Sequence, residues 1–598
     1  MQERLSYDPF VLPFTFGMVY IIVYLIVAMA RVINALPKED KQRLAKGIFS
    51  KKIFISIKEI FLECLIHRKI FKHNKWLGFM HMSIAFGWFM MILLAHIEVK
   101  LYAPTRFNLP YYPIFFRYFM METETTLRGG LLFFLMDFFL LLTLTGVGMA
   151  MYKRINKRRF GMRRTTRLRL GDTIAMYTLW AIFPLRLLAE SFTSNVSGGS
   201  FLTRGFGLVF ENFVSNPDHT LPIWWAYSIA LGIFMVALPH SRFMHIPTEM
   251  LLIVLRNSGI KVEKKNKGIA TISIYSCSRC GMCLDPCQMV SAARLNNRAS
   301  VYFLRQVRHK EKETENTANA CLMCGRCVQA CPVGIDSCAI KQNVRDQRSL
   351  PTGTEQQYSY LPQPIASEIK PEILYFAGCM THLTPGIKQS MEAIFKHANV
   401  NYQFMDEKGS ICCGRPLLLA GQTAAGERLI ETNKKIIAES GAKILVTSCP
   451  ICYRAFNETY NLPIKVLHHT EYLERLIDEG RIKPQKSLKN FVYHDSCELS
   501  RYSNIYKQPR NVLRSIAYLQ PTPYDGKDGI CCGGSIGSTL LTSTQRRKIA
   551  IDAANKLTEK QPDCLVTSCP LCKKTFDNTT ATDVKDIAQV VKEALIIE

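Results

Sequence analysis

Acidic residues are scarce in this chain: 48 Asp and Glu stand against 75 Lys and Arg among 598 residues, a formal net charge of +27. No nucleic-acid-binding motif accompanies the positive charge, so the charge alone does not indicate a nucleic-acid partner. The N-terminus lacks a basic leader, and no small-residue cleavage site follows the first apolar run, which argues against a cleaved signal peptide. Apolar residues are abundant, at 48%, and they concentrate before position 250.

Five apolar runs in this first part approach or reach the roughly 20 residues that an α-helix needs to cross a hydrocarbon core. They are residues 10–33, 76–97, 131–152, 173–192 and 222–244. The fourth run is the weakest because it contains Pro184, Arg186 and Glu190, and a buried amphipathic helix is the alternative. We therefore predict a membrane domain over residues 1–255, an α-helical transmembrane bundle of about five helices.

Positive charges collect in two of the segments between these runs. Residues 38–75 and 153–169 are rich in Lys and Arg, whereas residues 99–128 and 193–221 have few. Because short loops rich in Lys and Arg stay in the cytoplasm, we expect the C-terminal part to face the cytoplasm from the inner membrane of a prokaryote. Basic loops beside anionic lipid headgroups also account for the net charge.

Two cysteine runs of the form CxxCxxCxxxC follow the membrane part. In ferredoxins with this spacing, three thiolates hold one cubane 4Fe-4S cluster and the fourth completes the other cluster, whereas a zinc ribbon uses CxxC pairs. Residues 289–319, between the runs, have helical character, which predicts an α-helical dicluster ferredoxin domain over residues 256–348. One predicted cluster is held by Cys277, Cys280, Cys283 and Cys331, and the other by Cys321, Cys324, Cys327 and Cys287.

The C-terminal third repeats one arrangement of five cysteines. Matching cysteines lie 118 to 120 residues apart, which indicates a tandem repeat of one domain. Five thiols exceed the four ligands of a tetrahedral zinc site, and an adjacent Cys–Cys pair suits two irons that share a sulfide. Each set is therefore predicted to hold an iron–sulfur cluster. The sets are Cys379, Cys412, Cys413, Cys449 and Cys452, and Cys497, Cys531, Cys532, Cys569 and Cys572.

Short β-branched runs alternate with helical stretches through this region. Residues 373–376 and 443–447 each lead into a cluster cysteine, and residues 491–494 and 564–567 repeat the pattern. An α/β layout with cysteines at the strand ends is therefore predicted for both repeats.

These patterns divide the soluble part of a multidomain chain. A linker rich in Pro, Gln and Ser is expected over residues 349–370. Two tandem α/β cysteine-rich domains then occupy residues 371–483 and 487–598. Three cysteines fall outside every motif and are expected to be ordinary thiols: Cys64, Cys338 and Cys564.

The two five-cysteine blocks resemble the CCG domains of heterodisulfide reductase catalytic subunits, and related domains occur in iron–sulfur subunits of glycolate and lactate oxidases. The resemblance implies a non-cubane 4Fe-4S cluster in one or both domains and disulfide chemistry between them, so that the ten cysteines are the candidate catalytic ligands. The sequence departs from the family at residues 534–537, where relatives carry a glycine-rich tail, and at Glu498, where relatives commonly have His. Both departures leave the substrate open.

The membrane part resembles the cytochrome b subunit of respiratory nitrate reductase, best over residues 239–245. Haem b in a helix bundle needs imidazoles from two helices at the same depth. His81 and His245 meet this requirement, and the resemblance implies the same pair. His240, one turn away, is the alternative to His245, and interfacial histidines without haem are the other reading.

A second, outer haem has weaker support in the sequence. The family places its outer ligands at positions that correspond to Met91 and Tyr227, and neither is His. His96 and His219 are the other candidates for such a haem. One haem, rather than two, is therefore the prediction.

Three charged residues lie inside the apolar runs. Asp137 is alone among apolar neighbours, which indicates either a quinone or proton site or a pairing with a neighbouring helix. Arg186 and Glu190 are four residues apart on one helix face, so they either pair with each other or Arg186 meets a haem propionate.

A chain with clusters in its soluble part and haem in lipid joins a soluble redox partner to a membrane one. The fusion of these parts resembles the membrane iron–sulfur oxidoreductases that link electron-transferring flavoprotein to menaquinone. We predict electron transfer from a cytoplasmic flavoprotein, either electron-transferring flavoprotein or a 2-hydroxy-acid dehydrogenase, to the menaquinone pool. Two alternatives stay open: quinol-dependent reduction of a heterodisulfide or other disulfide at the CCG clusters, and a non-catalytic membrane anchor with structural zinc.

Overall fold

The computed structural model describes residues 7–102, 109–119, 127–160, 166–210, 220–262, 267–347, 371–409, 411–535 and 540–595. The chain forms two compact units, Met1–Gly281 and Met282–Glu598. The expected linker at residues 349–370 lies outside the described residues, and so does His219.

The described part of the first unit is helical. Its helices are α1 (Leu12–Asn34), α2 (Lys38–Ile48), α3 (Lys52–Ile60), α4 (Arg68–His73), α5 (Lys75–Tyr102), α6 (Phe116–Phe119), α7 (Leu127–Ile155), α8 (Leu170–Ser197), α9 (Thr203–Phe210), α10 (Leu221–Ala237), α11 (His245–Asn257) and α12 (Lys267–Tyr275). A π-helical turn, Phe61–Leu65, continues α3.

Four helical segments among the described residues are long and apolar enough to cross a membrane: Pro9–Asn34, Lys75–Tyr102, Gly129–Ile155 and Leu221–His240. The remaining predicted span, residues 173–192, lies in α8, which is 28 residues long. Helix α8 differs from the others because Arg186 and Glu190 form an ion pair of 2.8 Å inside the bundle. These buried charges lower its hydropathy, and its packing against α10 and α9 makes it an interior helix.

Helices α1 and α10 pack closely at a pair of glycines. A Cβ atom built on Gly17 would lie 2.8 Å from the carbonyl oxygen of Gly232, too near for any real contact. Small residues that let two backbones approach are a common means of joining helices in membranes, where no hydrophobic force draws helices together.

The first unit extends beyond the predicted domain boundary at residue 255. Helix α12 packs on α1 and α11, and a Cβ atom on Gly268 would lie 2.7 Å from the carbonyl oxygen of Val32. As a result the division between the compact units falls after Gly281, within the first cysteine run.

The second unit begins with short helices and continues with two α/β sandwiches. The short helices are α13 (Gln288–Ser291), α14 (Ser300–Arg308), α15 (Thr314–Asn319), α16 (Arg326–Gln329) and α17 (Ser337–Asp346). The first sandwich has β1 (Ile373–Phe376), α18 (Cys379–His382), α19 (Pro385–His397), β2 (Tyr402–Phe404), α20 (Arg415–Leu419), α21 (Thr423–Glu439), β3 (Ile444–Thr447), α22 (Pro450–Glu458), β4 (Lys465–His468) and α23 (His469–Asp478). The second has β5 (Asn490–His494), α24 (Gln508–Ile516), β6 (Tyr518–Gln520), α25 (Ser543–Leu557), β7 (Cys564–Thr567), α26 (Pro570–Phe576), β8 (Asp583–Asp586) and α27 (Ile587–Ala594).

Both sheets are parallel and have the same topology, with strand orders β2-β1-β3-β4 and β6-β5-β7-β8. The four residues of β1 are buried, as expected for a parallel strand covered by helices on both faces. The α/β layout predicted from the repeated sequence is confirmed. Helices α19 and α23 pack against α27, and one hydrophobic core runs through both sandwiches.

We predict that Gly17→Ala destabilises the bundle by about 1–3 kcal/mol, the usual cost of overpacking a close contact. The added methyl group would meet the backbone of Gly232, which cannot rotate away as a side chain does. The matched control is Gly148→Ala in α7, where a Cβ atom has no neighbour within 4 Å. Thermal unfolding of both variants in detergent checks this, and equal melting temperatures would contradict the packing argument.

Candidate iron–sulfur and haem sites

The five cysteines of the first sandwich converge at the carboxyl ends of its strands, where α/β sheets commonly bind ligands. Cys379 opens α18 just after β1, and Cys449 precedes α22 just after β3. A chain of thiol–thiol hydrogen bonds joins all five, in the order Cys379, Cys412, Cys413, Cys452 and Cys449.

A glycine leaves room for a bound group in this first set. Gly378 has a φ of +87°, and a Cβ atom there would lie 3.1 Å from both the Cβ of Cys449 and the Sγ of Cys452. A side chain at this position would therefore enter the space between the thiols. Five converging thiols around a space that only glycine leaves open fit an iron–sulfur cluster.

The second sandwich repeats the arrangement. Cys531 is hydrogen-bonded to Cys497 and Cys532, and Cys572 is hydrogen-bonded to Cys532 and Cys569. Hydrogen bonds from Cys531 and Cys572 lower the pKa of Cys532, which favours the thiolate that metals require. Within the part of the chain that the structure describes, no three His, Cys, Asp or Glu side chains meet the geometry of a single-ion site.

The second ferredoxin set lies entirely in the second unit. Burial, together with three neighbouring thiols, raises the pKa of Cys287 to about 12. Those neighbours are Cys327, Cys324 and Cys321, the same partners that the sequence assigns to Cys287. These four residues are therefore grouped, and the donor set fits a cubane cluster.

A polar network lies against two of these four cysteines. The ammonium group of Lys341, which is 1% exposed, donates to Cys321 Sγ at 3.3 Å and to Ser300 Oγ at 3.0 Å. Ser300 Oγ in turn donates to Cys327 Sγ at 3.0 Å, and Ser337 Oγ lies 3.3 Å from the same sulfur. A buried cation and hydroxyl groups thus meet the sulfur atoms of this set.

Cys338, which was expected to be an ordinary thiol, lies beside the cysteines of this second ferredoxin set. Its hydrogen bond to Cys327 lowers the pKa of Cys327. Cys338 is 3% exposed and also contacts Tyr502 from the second sandwich. The spacing of the cysteines gave no signal for this position, because Cys338 reaches the site through the fold of α17.

The second ferredoxin set adjoins the second five-cysteine set. The thiols of Cys324 and Cys531 are hydrogen-bonded to each other. The backbone amide of Cys531 donates to Gln288 Oε1 at 2.8 Å, and Arg501 Nε donates to the carbonyl oxygen of Cys324 at 2.7 Å. The two sites are therefore adjacent and are held together by bonds on both sides.

The two five-cysteine sets also lie near each other, because α18 of the first sandwich packs against α26 of the second. Cys449 and Cys569 are close enough to interact electrostatically. Glu498, the position at which relatives commonly have His, accepts from Arg454 at 3.0 Å and lies 3.5 Å from Arg415. Since these arginines follow Cys452 and Cys413 by two residues, Glu498 ties the second set to the first.

The first ferredoxin set is divided between the two units. Cys277 and Cys280 belong to the first, and Cys283 and Cys331 belong to the second. Their assignment to one cluster stays a prediction. In the first unit, Arg279 between the two cysteines forms an ion pair of 2.5 Å with Asp172 of α8.

The loop with Cys277 and Cys280 is connected to the histidine segment of the bundle. Asp172 Oδ1 accepts from the backbone amide of Arg242 at 2.7 Å, while its other oxygen binds Arg279. The carbonyl oxygen of Arg242 accepts from Nδ1 of His245 at 2.7 Å. This bond fixes the imidazole tautomer and leaves Nε2 free to bind a metal.

Three histidines, rather than two, come together at this end of the bundle. His81 interacts electrostatically with both His245 and His67, and the rings of His67 and His81 stack with centroids 5.4 Å apart. His81 and His245 come from different helices, as the predicted haem ligands must. His67 was not predicted, because it lies in a basic loop outside every apolar run.

The other haem candidates lie elsewhere. His240 is exposed and shares a hydrogen bond of 2.9 Å with Tyr20. His96 faces away from the bundle, and its Nδ1 donates to the carbonyl oxygen of Ile92 at 2.8 Å. Met91 and Tyr227 are buried, and Tyr227 is hydrogen-bonded to Arg186. The described candidates therefore provide no outer pair of histidines.

The carboxylate of Asp137 is hydrogen-bonded to residues at the start of another helix, α9. Its carboxylate accepts from the backbone amides of Leu202 and Thr203 at 2.9 Å each, and from the hydroxyl group of Thr203 at 3.1 Å. It therefore caps the N-terminus of α9. These contacts match the second of the two predicted roles of Asp137, a pairing with a neighbouring helix.

Two family descriptions match the chain. "Cysteine-rich domain" matches residues 373–457 and 491–577, and "4Fe-4S dicluster domain" matches residues 273–335. This chain is an iron–sulfur protein. The matches support iron–sulfur clusters in the ferredoxin region and in the two cysteine-rich domains.

Similarity to characterised relatives agrees with this assignment. The chain is 25% identical over 402 residues to one subunit of the dihydromethanophenazine:CoB–CoM heterodisulfide reductase of Methanosarcina acetivorans, covering 56% of this chain and 97% of that protein. It is 24% identical over 508 residues to EtfAB:quinone oxidoreductase of Syntrophomonas wolfei, covering 65% and 71%. One subunit of the fumarate reductase (CoM/CoB) of Methanothermobacter marburgensis is 22% identical over 363 residues, covering 53% and 72%. The relationship suggested by the cysteine pattern is confirmed, and the chain is an iron–sulfur oxidoreductase.

We predict that Lys341→Met lowers the reduction potential of the cluster held by Cys287, Cys321, Cys324 and Cys327. Hydrogen bonds and positive charge at the sulfurs favour the reduced, more negative cluster. A bond to a charged group is worth about 1.5–3 kcal/mol, and a tenfold change in a one-electron equilibrium, about 1.4 kcal/mol, is about 59 mV, so the fall should be roughly 65–130 mV. EPR-monitored potentiometry measures it.

Two variants control this measurement. Lys341→Arg keeps the charge and should keep most of the potential, and Lys312→Met removes an exposed lysine of the same domain. A potential in Lys341→Met equal to that of Lys312→Met, with iron content unchanged, would show that the lysine does not act on the cluster.

Proposed function

We propose that this oxidoreductase transfers electrons from a reduced cytoplasmic flavoprotein to menaquinone. The observation that carries the proposal is the connection in the first unit between the Cys277–Cys280 loop and the His245 segment through Arg279, Asp172 and Arg242. These bonds link the loop that carries the proposed cluster ligands Cys277 and Cys280 to the segment that carries the proposed haem ligand His245. Bound iron–sulfur clusters and haem supply one-electron transfer.

The residues of the second unit support a longer route for the electrons. The contact of Cys324 with Cys531 brings a ferredoxin site beside the second five-cysteine set. The proximity of Cys569 to Cys449 continues the route to the first set. The protein's contribution is to hold these sites at short distances and out of water, since Cys321, Cys449, Cys531 and Cys569 are all buried.

The flavoprotein donor is proposed from a relative. One similar protein is named EtfAB:quinone oxidoreductase, and it covers 65% of this chain. The four helices that are long and apolar enough to cross a membrane support a membrane location. The Lys- and Arg-rich segments at residues 38–75 and 153–169 support the proposal that the iron–sulfur domains face the cytoplasm.

We further propose one haem b, held by His81 and His245. The described bundle supports a single site because His96 faces outward and Met91 and Tyr227 are buried among other partners. The role of Arg242 is to orient His245 through its carbonyl oxygen.

His245→Ala is expected to abolish the Soret absorption of the purified protein, because the haem loses one axial ligand. His240→Ala is the matched control from the same segment and should leave the absorption unchanged. Iron–sulfur content is measured in both to show that the protein is folded. Loss of haem in the His240 variant together with retention in the His245 variant would reverse the assignment.

A disulfide reductase is the second candidate function, and a specific observation favours it. Cys449 of one complete five-cysteine set is close enough to interact electrostatically with Cys569 of the other, whereas simple electron transfer has no evident need for a pair of such sets. In this reaction a substrate disulfide takes up two electrons and two protons, its S–S bond breaks and two thiols are released.

Stopped-flow spectroscopy of the anaerobic full-length protein with reduced electron-transferring flavoprotein tests the main proposal. Flavin oxidation accompanied by reduction of haem b is the expected result, followed by haem reoxidation when a menaquinone analogue is added. Haem that stays oxidised while the flavin stays reduced contradicts the donor assignment. Thiol release from a panel of disulfides by the dithionite-reduced protein would instead support the second candidate.

A further inference from the structure

Two polar side chains of helix α3, Ser56 and Glu59, are turned towards the protein. Glu59 accepts from Arg256 at 2.5 Å and from Asn257 at 3.1 Å, both on α11. Asn257 also donates to Ser56 at 3.2 Å. In the π-helical turn that follows, buried Glu63 accepts from Arg68 at 3.0 Å. The carboxylates of this segment are thus satisfied within the first unit.

The opposite face of the same segment carries large apolar side chains that are uncovered. Phe54, Ile57 and Phe61 recur at intervals of three and four residues, so they form one stripe, and they are 71%, 55% and 45% exposed. Ile55 beside them is 59% exposed. A helix at the surface of a water-soluble protein has the reverse arrangement, with its polar face outward. The orientation of α3 therefore indicates an apolar medium outside it.

The position of α3 in the chain identifies this medium as lipid. It lies between two membrane-crossing helices, α1 and α5, and its nine residues are far too few to cross. It therefore stays at the membrane face where α1 ends. Phe16 of α1, a residue of a crossing helix, has a comparable exposed fraction of 69%.

Basic residues accompany the apolar stripe. Lys51, Lys52 and Lys58 are exposed, and Lys58 lies on the same face as Phe54 and Phe61. Lysines beside a buried apolar stripe extend their ammonium groups to the lipid headgroups. Anionic headgroups are their complementary partner.

We propose that α3 and the turn Phe61–Leu65 form a membrane-surface anchor that binds the anionic leaflet at the end of α1. Phe54, Ile57 and Phe61 contact the acyl chains, and Lys51, Lys52 and Lys58 contact the phosphate groups of the lipids. This anchor is independent of the proposed electron donor and acceptor.

Photolabelling in nanodiscs tests the apolar contact. The full-length protein is placed in phosphatidylglycerol nanodiscs that contain a phosphatidylcholine with a diazirine on its acyl chain, and tryptic peptides are mapped after illumination. The peptide of residues 53–58 should be labelled, as should peptides from α1. The peptide of residues 515–527, which carries Tyr518 at 63% exposure in the second unit, is the unlabelled control.

A peptide 53–58 as unlabelled as the control, with α1 labelled, overturns the proposal. So does its cross-linking to a second copy of the chain in place of lipid, because the stripe would then be a protein interface.

The lysines are tested by the phosphatidylglycerol that remains bound after purification in detergent. Changing Lys51, Lys52 and Lys58 together to Gln should lower the bound lipid severalfold. The matched control changes three exposed lysines of the second unit, Lys483, Lys486 and Lys489, to Gln. Equal lipid retention in the two triple variants contradicts the headgroup contact, and haem and iron contents confirm that both are folded.

Discussion

For this protein to work, like-charged sulfur atoms must lie close together in small spaces, and the fold holds them there. Thiolates repel one another, and burial raises the free energy of each charge, so a flexible chain would not hold five of them together. The parallel sheets overcome this by fixing the carboxyl ends of neighbouring strands side by side. In the first set, Cys379 follows β1 and Cys449 follows β3, two strands paired along their length. Bound iron then compensates the charge that the fold has concentrated.

The contacts between sites depend on the same fold. Cys531 contacts Cys324 because the ferredoxin loop with Cys324 packs against the second sandwich. Two hydrogen bonds hold this contact, one from Arg501 to the carbonyl oxygen of Cys324 and one from the amide of Cys531 to Gln288. Glu498 bridges to Arg454 of the first sandwich, and buried His469 and Asp586 lie 3.2 Å apart across the two sandwiches. These bonds fix distances between sites, and short fixed distances are what one-electron transfer between them requires.

The sequence predicted features that repeat or that have a strict spacing. Cysteine spacing and β-branched runs were enough to predict β1, β3, β5 and β7, because parallel buried strands need such residues on both faces. Interactions between distant residues were not predictable. Lys341 lies 20 residues from Cys321 and bonds to it only through the fold of α17, and His67 meets His81 through a left-handed backbone turn at φ 58°. The pairing of Arg186 with Glu190 that the sequence offered is present in α8. The sequence left open whether this run crosses the membrane or is a buried amphipathic helix, because a count of apolar residues does not show which neighbours bury a helix.

A cubane site and a five-cysteine site lie side by side in the second unit, and on this account they exchange electrons directly. EPR spectroscopy of the full-length protein, reduced stepwise, measures this through the magnetic interaction between the two paramagnetic centres. Adjacent sites, as the contact of Cys324 with Cys531 requires, predict split or broadened signals and faster spin relaxation when both centres are paramagnetic. Two independent, unbroadened signals under the same conditions would contradict the account.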